Sequence, residues 1–247
     1  MDEKNAAELE ENELTPEVIV ENLKDVREKI ERACARSGRD PQAVVLCAVS
    51  KTKPLRDIEA AMKAGQHLFG ENYVQEIREK YEQLGDKAEW HMIGHLQRNK
   101  VKYIIDKVSL IHSVDSLALA SQIEKEAAKH DKIMDILLEV NIAGEESKWG
   151  FTARETIPAA RQISEMPHVR IRGLMTSAPI TDDPETNRVH FRNLKKLFDQ
   201  MGEAGIKNVS ADILSMGMTG DYEVAVEEGA TMCRIGTGIF GARNYHK

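Results

Sequence analysis

The chain has 247 residues, 30 % charged and 41 % hydrophobic, with a formal net charge of −7 at pH 7. That length can bury the core of one large α/β domain or two small ones, and the negative balance argues against a general nucleic-acid binder while allowing a local basic pocket. Cys34, Cys47 and Cys233 are too few and too scattered for a disulfide frame, no run reaches transmembrane length, and the acidic start MDEKNAAELEENELTPE has no apolar signal-peptide core, so a cytoplasmic protein is expected.

Residues 1–15 read as an acidic, disordered tail and residues 16–247 as one folded domain. Thr15 is placed to cap a helix and Pro16 to open it. Behind them Ile19, Leu23, Val26, Ile30 and Ala33 recur at helical spacing, and Gly38 stands where a left-handed helix stop belongs. The next stretch, AVVLCAVSKTKP (43–54), runs from apolar Val44–Ser50 into Lys51, with Lys53 two residues on and Pro54 ending the strand. Such a cation is either the solvent end of a strand or an amine set at the mouth of a pocket.

From there the pattern alternates. Strand-like runs fall at 44–50, 67–69, 90–93, 110–114, 135–142, 170–175, 211–215 and 231–235. Helical stretches fall between them at 55–64, 72–84, 96–107, 116–130, 153–165, 185–204 and 220–228. Alternation of this kind implies parallel pairing with right-handed crossovers. Eight units in this length predict a closed (β/α)8 TIM-type barrel with an extra N-terminal helix. An open doubly wound sheet fits less well, because no G-x-G-x-x-G follows the first strand.

In such a barrel the functional residues sit at the C-terminal ends of the strands. Two features of that rim stand out. The loops SMGMTGD (215–221) and RIGTGIFG (234–241) are rich in Gly, Ser and Thr, so backbone N–H groups can approach an anion without an intervening Cβ. The second opens what reads as a short helix, and together they suggest a phosphate cradle, although tight turns would look the same. Lys51 lies on the same rim. A lysine attacks an aldehyde only when neutral, and lowering its pKa by about three units from roughly 10.4 costs about 4 kcal/mol. Desolvation and a neighbouring cation such as Lys53 would supply that change. A Schiff-base lysine facing a phosphate cradle is the arrangement that pyridoxal 5′-phosphate requires.

The strings AVSKTKP, FGENYVQE, WHMIGHLQRNK, GLMTSAP, ESKWGF and LSMGMTGDYEVAVEEGATMCRIGTGIFG together resemble the pyridoxal phosphate homeostasis proteins of the YggS/PROSC type. The resemblance runs from the first helix to about Arg243. It implies a barrel akin to the N-terminal domain of alanine racemase, with the cofactor held as a covalent aldimine on Lys51 rather than Lys53. It implies also that Ser215, Gly217, Gly236 and Thr237 hold the phosphate, that Arg234 faces the pyridine nitrogen, and that Asn72 neighbours the ring 3-hydroxyl. His91 and Met218 are read as further lining residues.

His91 and His95 have a spacing that could ligate a metal, but Gly94 lies between them and no H-E-x-x-H accompanies them, so no metal is expected. Lys148, in the loop after the fifth strand, could reach the pocket mouth or stand in solvent. An arginine at the ring nitrogen disfavours its protonation and weakens the electron sink. The chain also ends directly after the barrel, where alanine racemase continues into a second domain. The expected function is therefore a non-catalytic carrier or regulator of pyridoxal 5′-phosphate in vitamin B6 and amino-acid homeostasis, a monomer whose partners are the cofactor and the apo-enzymes that receive it. A racemase or lyase of low activity is the alternative, and an aldolase-like phosphosugar enzyme a more distant one.

Overall fold

The structure, a computed structural model, describes residues 14–145 and 147–242. Of the expected tail at 1–15 only Leu14 and Thr15 fall among them, Leu14 packing against the core. Pro16 opens a long helix, α1 (Pro16–Ser37), behind an extended Thr15, and Gly38 ends it at φ 68°, a left-handed stop that a Cβ would penalise. The helix buries Ile19, Leu23, Val26, Ile30 and Ala33, the stripe read from the sequence, together with Cys34.

Eight strands follow: β1 (Val45–Val49), β2 (Leu68–Glu71), β3 (Glu89–Met92), β4 (Leu110–Val114), β5 (Met134–Glu139), β6 (Val169–Met175), β7 (Val209–Ser215) and β8 (Met232–Ile235). They close in chain order into a parallel barrel, with β8 pairing back onto β1. The helices between them are α2 (Leu55–Lys63), α3 (Val74–Leu84), α4 (Leu117–Lys129), α5 (Ala153–Ile163), α6 (Arg188–Glu203) and α7 (Tyr222–Glu227), with a four-residue α8 (Thr237–Phe240) after β8.

Side chains alternate along each strand, which divides the packing in two. Outward residues such as Leu46, Phe69, Trp90, Ile111, Ile136, Leu174 and Leu214 join the helices in the main core. Inside the barrel Leu110, Leu137 and Met175 form a separate apolar plug, with Ile213 against it. Beside the plug the interior is polar: His91, His112, Ser215 and Arg234 are all buried.

One expected helix is not an α-helix. Residues 96–107 form a 3-10 turn at Arg98–Tyr103 with irregular backbone beyond it. The periodicity did mark burial, since Leu96, Val101, Ile104 and Ile105 are all buried. At the end of the segment the Lys132 amine donates to the carbonyls of Ile105 and Val108, at 3.1 and 2.7 Å.

Between Ile171 and Gly173 the pairing of β6 with both neighbours slips, and the backbone of β7 comes close to Gly173. Gly173 has φ 151°, and a Cβ there would lie 1.9 Å from the Ile213 carbonyl oxygen. Gly173→Ala is therefore expected to cost about 3 kcal/mol or more by combining a disfavoured backbone with an overpacked contact. Urea unfolding would measure this, and an unchanged midpoint would refute it.

Candidate functional site

The site begins in the turn after β1. Ser50 is fully buried and its hydroxyl donates to Glu71 Oε1 at 2.6 Å. The Lys80 amine, from α3, donates to the Ser50 carbonyl at 2.8 Å, to Glu71 Oε1 at 2.7 Å and to Glu76 Oε2 at 2.7 Å. Burial raises the pKa of the Glu71 carboxyl and the Lys80 ammonium opposes that rise. Thr52, β-branched yet at φ 63°, is a backbone conformation that needs external support; its N–H donates to Glu76 Oε2 at 2.7 Å. A buried ion-pair cluster thus sets the turn that carries Lys51.

Lys51 lines a cavity of about 290 Å³ on the C-terminal rim, at the lower end of the roughly 300–1,000 Å³ usual for small-molecule sites. Asn72 and Ile93 come from the neighbouring strand ends, Ser177 from beyond β6, and Met218, Thr219 and Gly220 from the loop after β7. Arg234, Gly236 and Thr237 complete the far wall. Arg234 is only 4 % exposed. Its guanidinium donates from Nη1 to the Ser215 carbonyl (2.9 Å) and Oγ (2.7 Å), and from Nη2 to the Thr176 carbonyl (2.9 Å) and Ser177 Oγ (3.4 Å). The result is a fixed cation in the wall, aimed by acceptors on two segments, the end of β7 and the residues just past β6.

The glycine-rich side is equally constrained. A Cβ at Gly236 would lie 3.3 Å from the Val49 carbonyl oxygen, and one at Gly238 would lie 3.2 Å from Thr219 Cγ2. Gly238 N–H donates to Thr219 Oγ1 at 3.2 Å, joining the two loops. Behind them α1 braces α8, with Asn22 Nδ2 donating to the Ile239 carbonyl at 2.9 Å. The Lys53 amine does the same from the other side, donating to the carbonyls of Phe240 at 2.5 Å and Ala242 at 3.2 Å.

Six of the residues expected at the site, Lys51, Asn72, Met218, Arg234, Gly236 and Thr237, line this one cavity. Three do not. The Ser215 hydroxyl is fully buried between Arg234 and His112, turned to the barrel axis. Gly217, at φ 89°, serves packing: a Cβ would lie 2.6 Å from Ala225 Cβ and 2.8 Å from Tyr222 Cα. His91 is inside the barrel, its Nδ1 2.9 Å from His112 Nε2. Thr219 and Gly220, four and five residues past Ser215, are the loop members that reach the cavity and were not singled out; a threonine between Met218 and a glycine was the available signal. His95 pairs with Asp115 at 3.1 Å and stacks on Trp149 at 4.1 Å. Among the described residues no cluster of three or more His, Cys, Asp or Glu side chains could hold a metal ion, and no helix is long and apolar enough to cross a membrane. Lys148 bonds Glu145 Oε1 at 2.6 Å and the carbonyl of the cavity residue Ser177 at 3.2 Å.

Residues 21–244 match the family described as alanine racemase, N-terminal domain. A pyridoxal phosphate homeostasis protein of Aquifex aeolicus is 46 % identical over 226 residues, covering 91 % of this chain and 98 % of that protein. PipY of Synechococcus elongatus, solved with PLP bound, superposes with a TM-score of 0.78 at 33 % identity, covering 90 % of this chain and all of that one. An alanine racemase of Clostridium difficile shares the fold alone, with a TM-score of 0.70 at 17 % identity, over 92 % of this chain and 58 % of the racemase.

One further acid faces this region. Burial pushes the Glu139 carboxyl, at the end of β5, up to about 7; Asp115 adds to the rise and Arg234 opposes it. A carboxyl raised in the folded state adds stability below its ordinary pKa and loses it as pH rises through the folded value. Relative to Glu139→Gln, the wild type should therefore lose up to about 3 kcal/mol between pH 4.5 and 7 and run parallel above that. Urea unfolding across that window tests it; parallel curves throughout would remove Glu139 from the electrostatics of the site.

Proposed function

The chain belongs to the pyridoxal phosphate homeostasis proteins, a group built on the alanine racemase N-terminal domain, and from that premise we propose that its rim cavity holds pyridoxal 5′-phosphate for intracellular supply without robust catalysis. One observation carries the reading: a lysine amine and a glycine-rich pair of loops face a single cavity that also contains a buried arginine. The group when bound supplies an aldehyde, a phosphate and an electron-withdrawing pyridine ring.

Each end has a matching partner in the chain. Lys51 supplies the amine that attaches covalently at the aldehyde. The backbone N–H groups around Thr219–Gly220 and Gly236–Thr237, with the Thr219 and Thr237 hydroxyls, receive the phosphate. The absence of a Cβ at Gly236 is what lets that cradle close against Val49. Arg234 presents its fixed cation to the ring nitrogen and keeps it unprotonated. Asn72 stands beside the 3-hydroxyl. Lys53 is assigned no covalent role, since its amine is committed to the end of α8.

The same residues argue for holding over turnover. Racemisation needs two proton-transfer groups on opposite faces of the ring. Among the described residues that line the cavity, the ionisable ones are Lys51, Lys53 and Arg234. Lys53 is anchored away, and a guanidinium is a poor proton donor. Apo-enzymes that accept the cofactor are the partners this reading implies.

The protein mixed with pyridoxal 5′-phosphate should show a visible absorption band that borohydride removes, with the pyridoxyl group mapping to Lys51. Lys51→Ala should abolish the band yet retain weaker binding through the loops, and Lys53→Ala should keep it. A pyridoxyl group on Lys53 or Lys148 would overturn the assignment. In the cradle, Gly236→Val should weaken binding more than Thr237→Val, whose lost hydroxyl corresponds to about fivefold. The opposite order in a titration would refute the two-loop site.

A further inference from the structure

The cavity described above ends at Arg234, but a line of polar side chains continues from that residue through the barrel. Arg234 Nη1 lies 2.7 Å from Ser215 Oγ, Ser215 Oγ 3.0 Å from His112 Nδ1, and His112 Nε2 2.9 Å from His91 Nδ1. His91 Nε2 lies 3.3 Å from Glu89 Oε1, which also accepts from Ser109 Oγ at 2.7 Å. Glu89 is the first residue of β3, exposed at the end of the barrel opposite the cavity, whereas the four groups above it are buried. The line therefore descends the interior and crosses it, from β8 and β7 to β4 and β3.

The two ends set the direction of every bond between them. A guanidinium only donates and a carboxylate only accepts, and a neutral imidazole has one N–H and one acceptor nitrogen. Burial holds both histidines below their usual pKa, hence neutral, and the His91 contact followed by that of Ser109 keeps the Glu89 carboxyl down at about 2, hence ionised. His91 must then donate from Nε2 to Glu89, leaving Nδ1 to accept. His112 donates from Nε2 to His91 and accepts at Nδ1 from the Ser215 hydroxyl, whose oxygen accepts from Arg234. All four hydrogen bonds point from the cation to the anion.

A fully satisfied buried polar chain is seldom the most stable filling for a core, since apolar side chains of similar volume do as well or better. Here the alternative is next door, in the plug of Leu110, Leu137, Met175 and Ile213. Bonds aligned head to tail polarise one another, so the carboxylate at the far end makes Ser215 Oγ a better acceptor for the guanidinium. We propose that Glu89 is a positioning residue for Arg234, holding the guanidinium against the cavity wall through the one-way chain His91–His112–Ser215. The proposal rests on the reading that Arg234 faces the ring nitrogen of bound pyridoxal 5′-phosphate.

Its test separates the two. In ligand-free, full-length protein carrying 15N-labelled histidine, both His91 and His112 should be neutral with the proton on Nε2. A proton on Nδ1 of either, or a charged ring near pH 7, overturns the chain. Glu89→Ala should weaken binding of pyridoxal 5′-phosphate about fivefold, the equivalent of one ordinary net hydrogen bond, and shift the visible band of the loaded protein. Glu89→Gln, whose amide oxygen can still accept from His91, should restore most of both. The same substitutions should leave affinity unchanged for the cofactor analogue with carbon in place of the ring nitrogen. An affinity for pyridoxal 5′-phosphate within twofold of wild type and an unshifted band in Glu89→Ala, or equal losses for cofactor and analogue, overturn the positioning role. If instead Arg234→Lys changes affinity for cofactor and analogue alike while the histidine tautomers stand, it is the ring-facing assignment that has failed.

Discussion

A charged guanidinium buried in the mouth of a closed barrel is the constraint around which this molecule is arranged. Removing such a charge from water is costly unless its donors find acceptors. Arg234 meets that condition with carbonyls and hydroxyls from the ends of β6 and β7, at distances of 2.7 to 3.4 Å. Those acceptors are in place only if the strands around them are in register. The slip of β6 against both neighbours at Gly173 is what carries Met175 and Ser215 to the same level. The site is thus a consequence of barrel closure rather than an addition to it.

The additions to the barrel serve the same end. The N-terminal helix packs on the outside of the fold, yet Asn22 reaches the carbonyl of Ile239 and fixes α8. Four residues are too few to hold a helix by their own hydrogen bonds, so α8 takes its position from Asn22, Lys53 and the Thr219 hydroxyl. The turn that bears Lys51 is held in turn by Lys80, Glu71 and Glu76. Because Lys53 belongs to that turn and binds the end of α8, the amine side and the glycine side of the cavity are tied to each other directly.

What was legible in the sequence follows from how far apart the cause and the consequence lie along the chain. Strand and helix alternation, the stop at Gly38 and the position of Lys51 at a strand end are local patterns, and the barrel follows from them. Ser215 and Thr219 belong to one short segment yet face different regions. Ser215 shares a strand face with Ile213 and so points into the barrel, while Thr219, beyond the strand end, reaches the cavity; alternation along β7 distinguishes them only once its last residue is known. The partnership of His112 with Ser215 spans 103 residues and left no local trace beyond a histidine in an apolar strand. In residues 96–107 periodicity recorded which side chains are buried, but a buried face does not by itself specify α-helical bonding, and the segment takes a 3-10 turn at Arg98–Tyr103.

The two lysines of the SKTKP turn show how a small difference in position separates chemistry from architecture. They are two residues apart, carry the same group and border the same cavity. Between them stands Thr52 in a left-handed conformation held by Glu76, which breaks the alternation a strand would impose and sends the two side chains to different tasks. Lys53 is directed at the two C-terminal carbonyls, where a cation also meets the negative end of the α8 peptide dipoles. An amine employed there cannot also serve as a nucleophile, and its charge keeps the glycine-rich loops seated. Lys51, one residue beyond a buried serine and beside a cluster that already contains the Lys80 ammonium, lines the cavity and is the amine to which the proposed covalent role falls.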